Sequence, residues 1–183
     1  MRKITNTIYP PEQPLNLKTG FPPIANSATE LLILGSMPGD ESIRRQQYYG
    51  HPQNRFWKII AALYHEAIPI DYIQKKELAL SHQTGIWDVI QTAQRSGSMD
   101  TAIKNEIPNP LPVFIARHRR IRIIGFNGAK ARQVYERHFP TPEAVEMVTL
   151  PSSSPANARY SLEDLIEIWK GKLLFPDCLT THQ

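Results

Sequence analysis

The sequence has very little cysteine and no long apolar segment. Cys178 is the only cysteine among 183 residues, which excludes an internal disulfide framework and any metal site built from several thiolates. Its position near the C-terminus makes this thiol a weak candidate for a nucleophile. The apolar runs are far shorter than the about 20 residues that span a membrane. Residues 1–23 are polar and rich in proline, unlike a secretory signal. We therefore expect a soluble, cytoplasmic protein.

Motifs of several common enzyme classes are also missing. The chain has neither a phosphate-binding Gly-x-x-x-x-Gly-Lys-Ser/Thr loop nor the three-glycine dinucleotide fingerprint, so no nucleotide cofactor is predicted. The serines at residues 152–154 do not lie in a Gly-x-Ser-x-Gly turn, and no partner near them in the sequence completes a catalytic triad. A serine hydrolase is therefore poorly supported.

The composition is that of a single folded domain with a mild positive charge. Hydrophobic residues make up 41% of the chain and charged residues 21%, which excludes wholesale disorder. We predict an N-terminal extension over residues 1–27 and one domain over residues 28–183. The 21 Lys and Arg residues against 17 Asp and Glu residues give a net charge of +4, a mild bias toward polyanionic partners. The basic run at residues 117–122 could neutralise phosphates or could equally be a solvated loop.

Strand-like and helix-like segments alternate along the chain. Apolar runs at 31–34, 121–125 and 144–150 predict buried strands, and apolar residues at helical spacing predict helices over 56–64, 71–82, 127–139 and 161–169. A further short helix is predicted over residues 111–116. Residues 85–90 could be a strand or a buried helical turn, and residues 95–109 are polar and turn-prone. This alternation predicts an α/β protein, a three-layer α/β/α sandwich around a central, mainly parallel sheet.

Two polar loops rich in glycine, proline and serine follow predicted strands. The first begins with residues 35–39 and continues through residues 48–57, and the second covers residues 150–157. Because ligands bind at the carboxyl edge of such a sheet, we expect both loops to face one pocket. Hydroxyls and amides of Ser152, Ser153 and Ser154 suit phosphodiester oxygens, and Pro155 and Ala156 are compact enough to lie against a base step.

Four side chains in or near these loops have two possible roles each. Tyr49 could stack on a base or be a core residue. Asn54 and Asn127 could each cap a helix or hold a water or a polar ligand through a neutral amide. His51 could act as an acid, a base or a phosphate donor, although a histidine beside a proline is more often structural.

Three blocks of this sequence together resemble the uracil-DNA glycosylase superfamily. They are the His51-to-Lys58 stretch His-Pro-Gln-Asn-Arg-Phe-Trp-Lys, the segment Phe-Asn-Gly around Asn127, and the segment Pro-Ser-Ser-Ser at residues 151–154. The first motif departs from the mismatch-specific members, which carry Gly-x-Asn-Pro-Gly, because Met37 stands at the position of the asparagine. Gly-Ser-Met-Pro-Gly with Tyr-Tyr-Gly-His-Pro is closer to the hypoxanthine-DNA glycosylase branch.

This resemblance implies a uracil-DNA glycosylase-like fold and a monofunctional DNA glycosylase. Such an enzyme flips a deaminated base, hypoxanthine or uracil, out of double-stranded DNA and hydrolyses its N-glycosidic bond during base excision repair. It needs no metal and no cofactor, and we expect a monomer. The implied catalytic residues are Asn54, which orients the attacking water, and Asn127. The implied base-binding residues are Ser36, Met37, Pro38, Gly39, Tyr49 and Asn127. The implied DNA-binding residues are His51, Ser152, Ser153, Ser154, Pro155, Ala156 and Asn157.

The same resemblance leaves the wedge residue and the substrate open. The bulky Arg or Leu that relatives insert into DNA is matched here by Pro155, Ala156 or Asn157. One alternative is a glycosylase specific for uracil or thymine in G·U and G·T mismatches. A second, from another functional class, is a non-catalytic nucleic-acid-binding module that uses the same pocket without turnover.

Overall fold

A computed structural model of the chain describes residues 16–173. Cys178 and the first part of the predicted N-terminal extension lie outside these residues. Seven strands are present in the described part: β1 (Leu17–Thr19), β2 (Leu31–Gly35), β3 (Thr84–Asp88), β4 (Ile90–Gln94), β5 (Lys104–Pro108), β6 (Ile123–Asn127) and β7 (Glu146–Leu150). The α-helices there are α1 (Asp40–Arg45), α2 (Phe56–Leu63), α3 (Tyr72–Ser81), α4 (Leu111–Arg117), α5 (Ala129–His138) and α6 (Leu162–Leu173).

The central sheet has four parallel strands in the order β3-β2-β6-β7. The middle of β2, residues 32–34, is completely buried, as expected for an apolar run covered on both faces by helices. Because the four strands are parallel, all of them end at the same edge of the sheet. The predicted α/β architecture with a mainly parallel sheet flanked by helices is confirmed.

A second, antiparallel sheet was not predicted. It has three strands in the order β1-β4-β5, and β5 lies within residues 95–109, which the sequence indicated to be turns. The register of β4 against β5 is interrupted twice, and most of β5 is exposed, so the segment lacks the apolar alternation that identifies a strand. Strand β1 falls inside the predicted extension and pairs with β4.

Smaller differences from the predicted elements have local causes. The strand expected from residue 121 begins at Ile123, because the Ile121 amide donates to the carbonyl of His118 in a turn that follows α4. The strand expected from Ala144 begins two residues later, because Ala144 has a positive φ of 56°. Residues 85–90, left open between strand and helix, form β3 and the start of β4. No helix in the described part of the chain is long and apolar enough to cross a membrane.

The basic run at residues 117–122 lies at the amino edge of the central sheet. It precedes β6, and the Arg122 amide donates to the carbonyl of Glu30, the residue before β2. Arg120 pairs with the Glu30 carboxylate on the surface. The two polar loops lie at the opposite, carboxyl edge, so a contact of this run with the same phosphates as those loops does not fit the topology.

Candidate active site

A cavity of about 370 Å³ lies at the carboxyl edge of the central sheet, between the two polar loops. Its walls come from the last residues of β2, β3 and β6 and from the segments that follow β2, β4 and β7. Every side chain predicted for the site lines it: Ser36, Met37, Pro38, Gly39, Tyr49, His51, Asn54, Asn127, Ser152, Ser153, Ser154, Pro155, Ala156 and Asn157. The two halves of the chain therefore contribute to one cavity, as the sequence indicated, and the chemical role of each residue stays a prediction.

The first loop is held by bonds to neighbouring strands and to the segment after β4. The carbonyls of Gly35 and Ser36 accept from the amides of Val89 and Ile90. The Ser36 hydroxyl donates to the Asp100 carboxylate over 2.7 Å, and the carbonyl of Pro38 accepts from the Arg95 guanidinium. The loop is therefore a fixed wall of the cavity.

Tyr48 and Tyr49 both line the cavity but differ in burial. Tyr48 is buried, and its hydroxyl donates to backbone carbonyls of Phe21 and Pro22, so it is a core residue. Tyr49 has a positive φ of 53°, and its ring lies against Phe56 with 3.7 Å between the ring centres and 17° between the planes. One face of Tyr49 is thus covered by a fully buried ring, while the side chain also lines the cavity.

A chain of hydrogen bonds joins Asn54 to Asn127 through Ser153. The Ser153 hydroxyl donates to Asn54 Oδ1 over 3.0 Å and accepts from Asn127 Nδ2 over 2.9 Å. The Ser153 amide donates to Asn127 Oδ1 over 2.8 Å. These three residues come from the segment before α2, the end of β6 and the loop after β7, so their geometry depends on the whole fold.

The backbone fixes the orientation of both asparagine amides. The Phe56 amide, which can only donate, lies 3.0 Å from Asn54 Oδ1, so the oxygen must face the first turn of α2. Asn54 thereby satisfies one of the free amides at the start of this helix, but it lies one residue before the N-cap position predicted for it, which Arg55 occupies. Its Nδ2 group makes no hydrogen bond within the described residues, and the side chain lines the cavity.

The second polar loop, residues 150–157, is the serine loop. It is held by hydrogen bonds within the loop, and its tip is exposed to solvent. The hydroxyls of Ser152 and Ser154 accept from the amides of Ser154 and Ala156, and Asn157 Nδ2 donates to the carbonyl of Ser152. Pro155 and Ala156 are exposed. Ser153 differs from the other residues predicted to contact DNA. It is completely buried, and its hydroxyl is hydrogen-bonded to the two asparagines.

Arg55 is a residue that the sequence did not single out. Its guanidinium donates to the carbonyls of Tyr160, Ser154 and Asn157 at 2.5, 2.7 and 2.8 Å. Its Nε lies 3.4 Å from the carbonyl of Ser153, which also accepts from the Arg55 amide. These partners lie about a hundred residues away in the sequence, so no local pattern could reveal them.

Asp88 is a second side chain that sequence reasoning missed. It ends β3 at the carboxyl edge, is 3% exposed, and lines the cavity. Burial, reinforced by Asp100 and opposed by Arg95, raises its pKa to about 8. The signal was present as the only acidic residue in the apolar segment 85–90. No cluster of three or more His, Cys, Asp or Glu side chains in the part of the chain described could hold a metal ion.

The chain is similar to known proteins over most of its length. Residues 22–171 match the family described as the uracil DNA glycosylase superfamily. A protein from Methanosarcina acetivorans named hypoxanthine DNA glycosylase is 42% identical over 146 residues, which are 79% of this chain and 91% of that protein. A protein of the same name from Methanosarcina barkeri is 41% identical over 145 residues, 78% of this chain and 89% of its own length.

A solved structure is also similar. It is the solution NMR structure of a protein from Methanosarcina acetivorans described as a candidate uracil DNA glycosylase. It superposes with a TM-score of 0.71 at 37% sequence identity and covers 85% of this chain and 98% of its own.

Proposed function

The chain belongs to the uracil DNA glycosylase superfamily, and we propose that it is a monofunctional DNA glycosylase that releases hypoxanthine from double-stranded DNA in base excision repair. The observation that carries this proposal is the Asn54-Ser153-Asn127 chain inside a cavity made from both polar loops. Relatives that share about two fifths of their sequence with it bear the name hypoxanthine DNA glycosylase.

The cavity suits hydrolysis of an N-glycosidic bond. Breaking this bond leaves the electron pair on the departing base and positive charge on the sugar. The oxygen of a water molecule then bonds to C1′, and the two protons of the water end on the sugar hydroxyl and the base. A site for this reaction needs donors toward the base and a fixed water beneath the sugar. Asn54 Nδ2 is a neutral donor that can hold this water without placing a charge there.

The remaining residues of the cavity are assigned to the base and the DNA. The cavity side of Tyr49 stacks on the everted base, and the residues 36–39 loop contacts its edge. Asn127 has both side-chain atoms bonded to Ser153, which leaves one Nδ2 hydrogen for the base. Eversion costs a few kcal/mol and costs less for a mispaired base, which favours a deaminated base over a normal pair.

We assign the contacts with the phosphate backbone and the base step to the exposed rim. They come from His51, Ser152, Ser154, Pro155, Ala156 and Asn157. The Gln53 amide donates to His51 Nδ1 over 3.1 Å, so a neutral His51 carries its proton on Nε2, which is free to donate to a phosphate. Ser153 acts instead as a positioning residue for the two asparagines. We expect the protein to be cytoplasmic and monomeric. Light scattering of the free protein would test the monomeric state.

A panel of duplexes tests the activity and its base preference. Duplexes that contain inosine, uracil or thymine opposite each normal base are incubated with the protein and treated with alkali, which cleaves the strand at abasic sites. We expect cleavage of the inosine strand only after alkali. Preference for G·U and G·T would favour the mismatch-specific alternative, and binding without product on every duplex would favour the non-catalytic module.

The Asn54→Ala variant tests the assignment of the water. It removes the predicted water contact and also the two hydrogen bonds that Oδ1 accepts, from the Phe56 amide and from the Ser153 hydroxyl, each of which contributes about 1 kcal/mol. The matched control is Asp71→Ala, because Asp71 Oδ1 accepts from the Gln74 amide at the start of α3 and does not line the cavity. We expect Asn54→Ala to lose inosine release and Asp71→Ala to keep it. Unchanged inosine release by Asn54→Ala would refute the assignment.

A further inference from the structure

The Asp88 carboxyl has an unpartnered oxygen buried in the wall of the proposed active site. Within residues 16–173, Oδ2 is buried and forms no hydrogen bond. Asp88 is held in register beside Gly35, and Asn109 Nδ2 donates to its backbone carbonyl over 2.9 Å. A buried polar atom without a partner is costly, so its position at a ligand cavity needs an explanation.

The Asp88 carboxyl occupies the space beside Gly35 that a side chain there would fill. A methyl group on Gly35 would lie well inside van der Waals contact with Asp88 Oδ1 and 3.2 Å from the Tyr49 hydroxyl. The Tyr49 hydroxyl is also buried, with the Asn127 side chain beside it. The wall of the cavity therefore holds the Asp88 carboxyl, with its unpartnered Oδ2, close to the Tyr49 hydroxyl.

We propose that Asp88 is a further base-contacting residue that binds the lactam edge of the everted base, a ring N–H beside a carbonyl oxygen. This inference rests on the proposed glycosylase function and adds the group that recognises the base. In hypoxanthine these atoms are N1–H and O6. A neutral carboxyl group carries one donor and one acceptor side by side, so it forms two parallel hydrogen bonds with this pair.

The groups around Asp88 favour the neutral form of its carboxyl. Burial raises the pKa of Asp88 most and the Asp100 carboxylate adds to this effect, while the charge of an ionised Asp88 would in turn raise the pKa values of Tyr48, Tyr49 and Tyr72. The Arg95 guanidinium opposes this rise in the pKa of Asp88, but the two side chains form no direct ion pair among the residues described. With a pKa of about 8, Asp88 is mostly protonated at neutral pH.

The same contact assists departure of the base. As the glycosidic bond breaks, part of the negative charge of the base develops on O6, and a hydrogen bond donated to that oxygen strengthens in the transition state. The proton stays on the Asp88 carboxyl throughout, so no proton transfer is required at this residue.

Two variants separate this role from a structural or a charged one. Asp88→Asn keeps a donor beside an acceptor but cannot ionise, whereas Asp88→Ala removes both. For inosine release at pH 7 we expect Asp88→Asn to keep kcat/KM within a few-fold of the unchanged protein. We expect Asp88→Ala to lose on the order of a hundredfold, the usual effect of removing one such donor. Equal thermal unfolding midpoints for the two variants would show that neither result comes from lost folding.

The pH profile provides a readout that a purely structural role would not move. Because the active form is protonated, kcat/KM of the unchanged protein should fall as pH rises through about 8 and should be about tenfold lower one pH unit above it. Asp88→Asn should not show this fall. An Asn variant as inactive as the Ala variant, or an Ala variant as active as the unchanged protein, would overturn the inference.

A binding measurement keeps this test separate from the test of the proposed function. The probe is a duplex with 2′-fluoro-2′-deoxyinosine, in which the electron-withdrawing fluorine resists bond cleavage. We expect Asp88→Ala to bind it at least about tenfold more weakly than Asp88→Asn, since two hydrogen bonds are lost. If the unchanged protein releases no base from any duplex, the proposed function fails, while this binding difference would still support the contact. Equal binding by both variants would overturn it.

Discussion

Replacing Arg55 by alanine should release the serine loop from the rest of the active site. The guanidinium makes three hydrogen bonds of 2.5–2.8 Å to carbonyls of this loop and of Tyr160 after it. A bond to a charged group contributes about 1.5–3 kcal/mol, so three would sum to about 5–9 kcal/mol if they were independent. Because the site is only half-buried and water can replace the donor at these carbonyls, we expect a net loss of about 2–4 kcal/mol in the free energy of unfolding.

The same change should lower activity more than a simple loss of stability would. Ser153 lies in the released loop and holds both Asn54 and Asn127, and misplacement of such groups by about 1 Å costs on the order of a hundredfold in rate. Arg55→Lys should recover little, because a lysine keeps the charge but not the planar fork that reaches several carbonyls.

Urea unfolding and the alkali assay on an inosine duplex measure these two effects. The control is Arg120→Ala, because Arg120 makes a surface ion pair with Glu30 at the opposite edge of the sheet. Such an exposed pair contributes about 0–1 kcal/mol, and inosine release should not change. Arg55→Ala with the stability and the activity of the control would refute the proposed role of this hydrogen-bond network.

Two further predictions concern glycines. Gly35→Ala should destabilise the fold by about 1–3 kcal/mol through overpacking and abolish inosine release, because its methyl group meets the Asp88 carboxyl. The control is Gly39→Ala, because its methyl group would meet only the Ser98 side chain at 3.4–3.5 Å. Thermal unfolding of both variants tests the difference, and Gly39→Ala should fold normally. Gly171→Ala in the exposed part of α6 meets nothing within 4 Å and should raise the free energy of unfolding by about 0.5–1 kcal/mol. An unchanged or lower value would contradict that reasoning.

The central sheet could be predicted because its strands satisfy a strong and simple requirement. Parallel strands covered on both faces must be apolar throughout, and the run ending at Gly35 meets this condition. The start of α6 is equally local, since the Ser161 hydroxyl accepts from the Asp164 amide and the Asp164 carboxylate accepts from the Ser161 amide, a capping box. The antiparallel sheet lacks such a signal because its strands are short, partly exposed and irregular in register.

The candidate site could be predicted in position but not in its connections. Both loops follow parallel strands, and a parallel sheet brings such loops to one edge whatever lies between them. The bonds from Arg55 to the serine loop span about a hundred residues, and nothing in the sequence near either end requires them. Asp88 was hidden because an acidic residue within an apolar segment gives no indication of whether it faces a core, a cavity or solvent.

Asn54 shows why the two roles considered for it from sequence are not alternatives. A helix cap was sufficient to explain an asparagine before α2; Arg55 holds the cap position itself, and Asn54 Oδ1, one residue earlier, accepts from the Phe56 amide. That bond and the one from the Ser153 hydroxyl together occupy the oxygen, so the side chain can turn only its Nδ2 group to the cavity. These two bonds therefore set the orientation that the proposed water contact requires. A residue whose side chain can only accept, such as aspartate, would keep the bond from the Phe56 amide but leave no donor for that water.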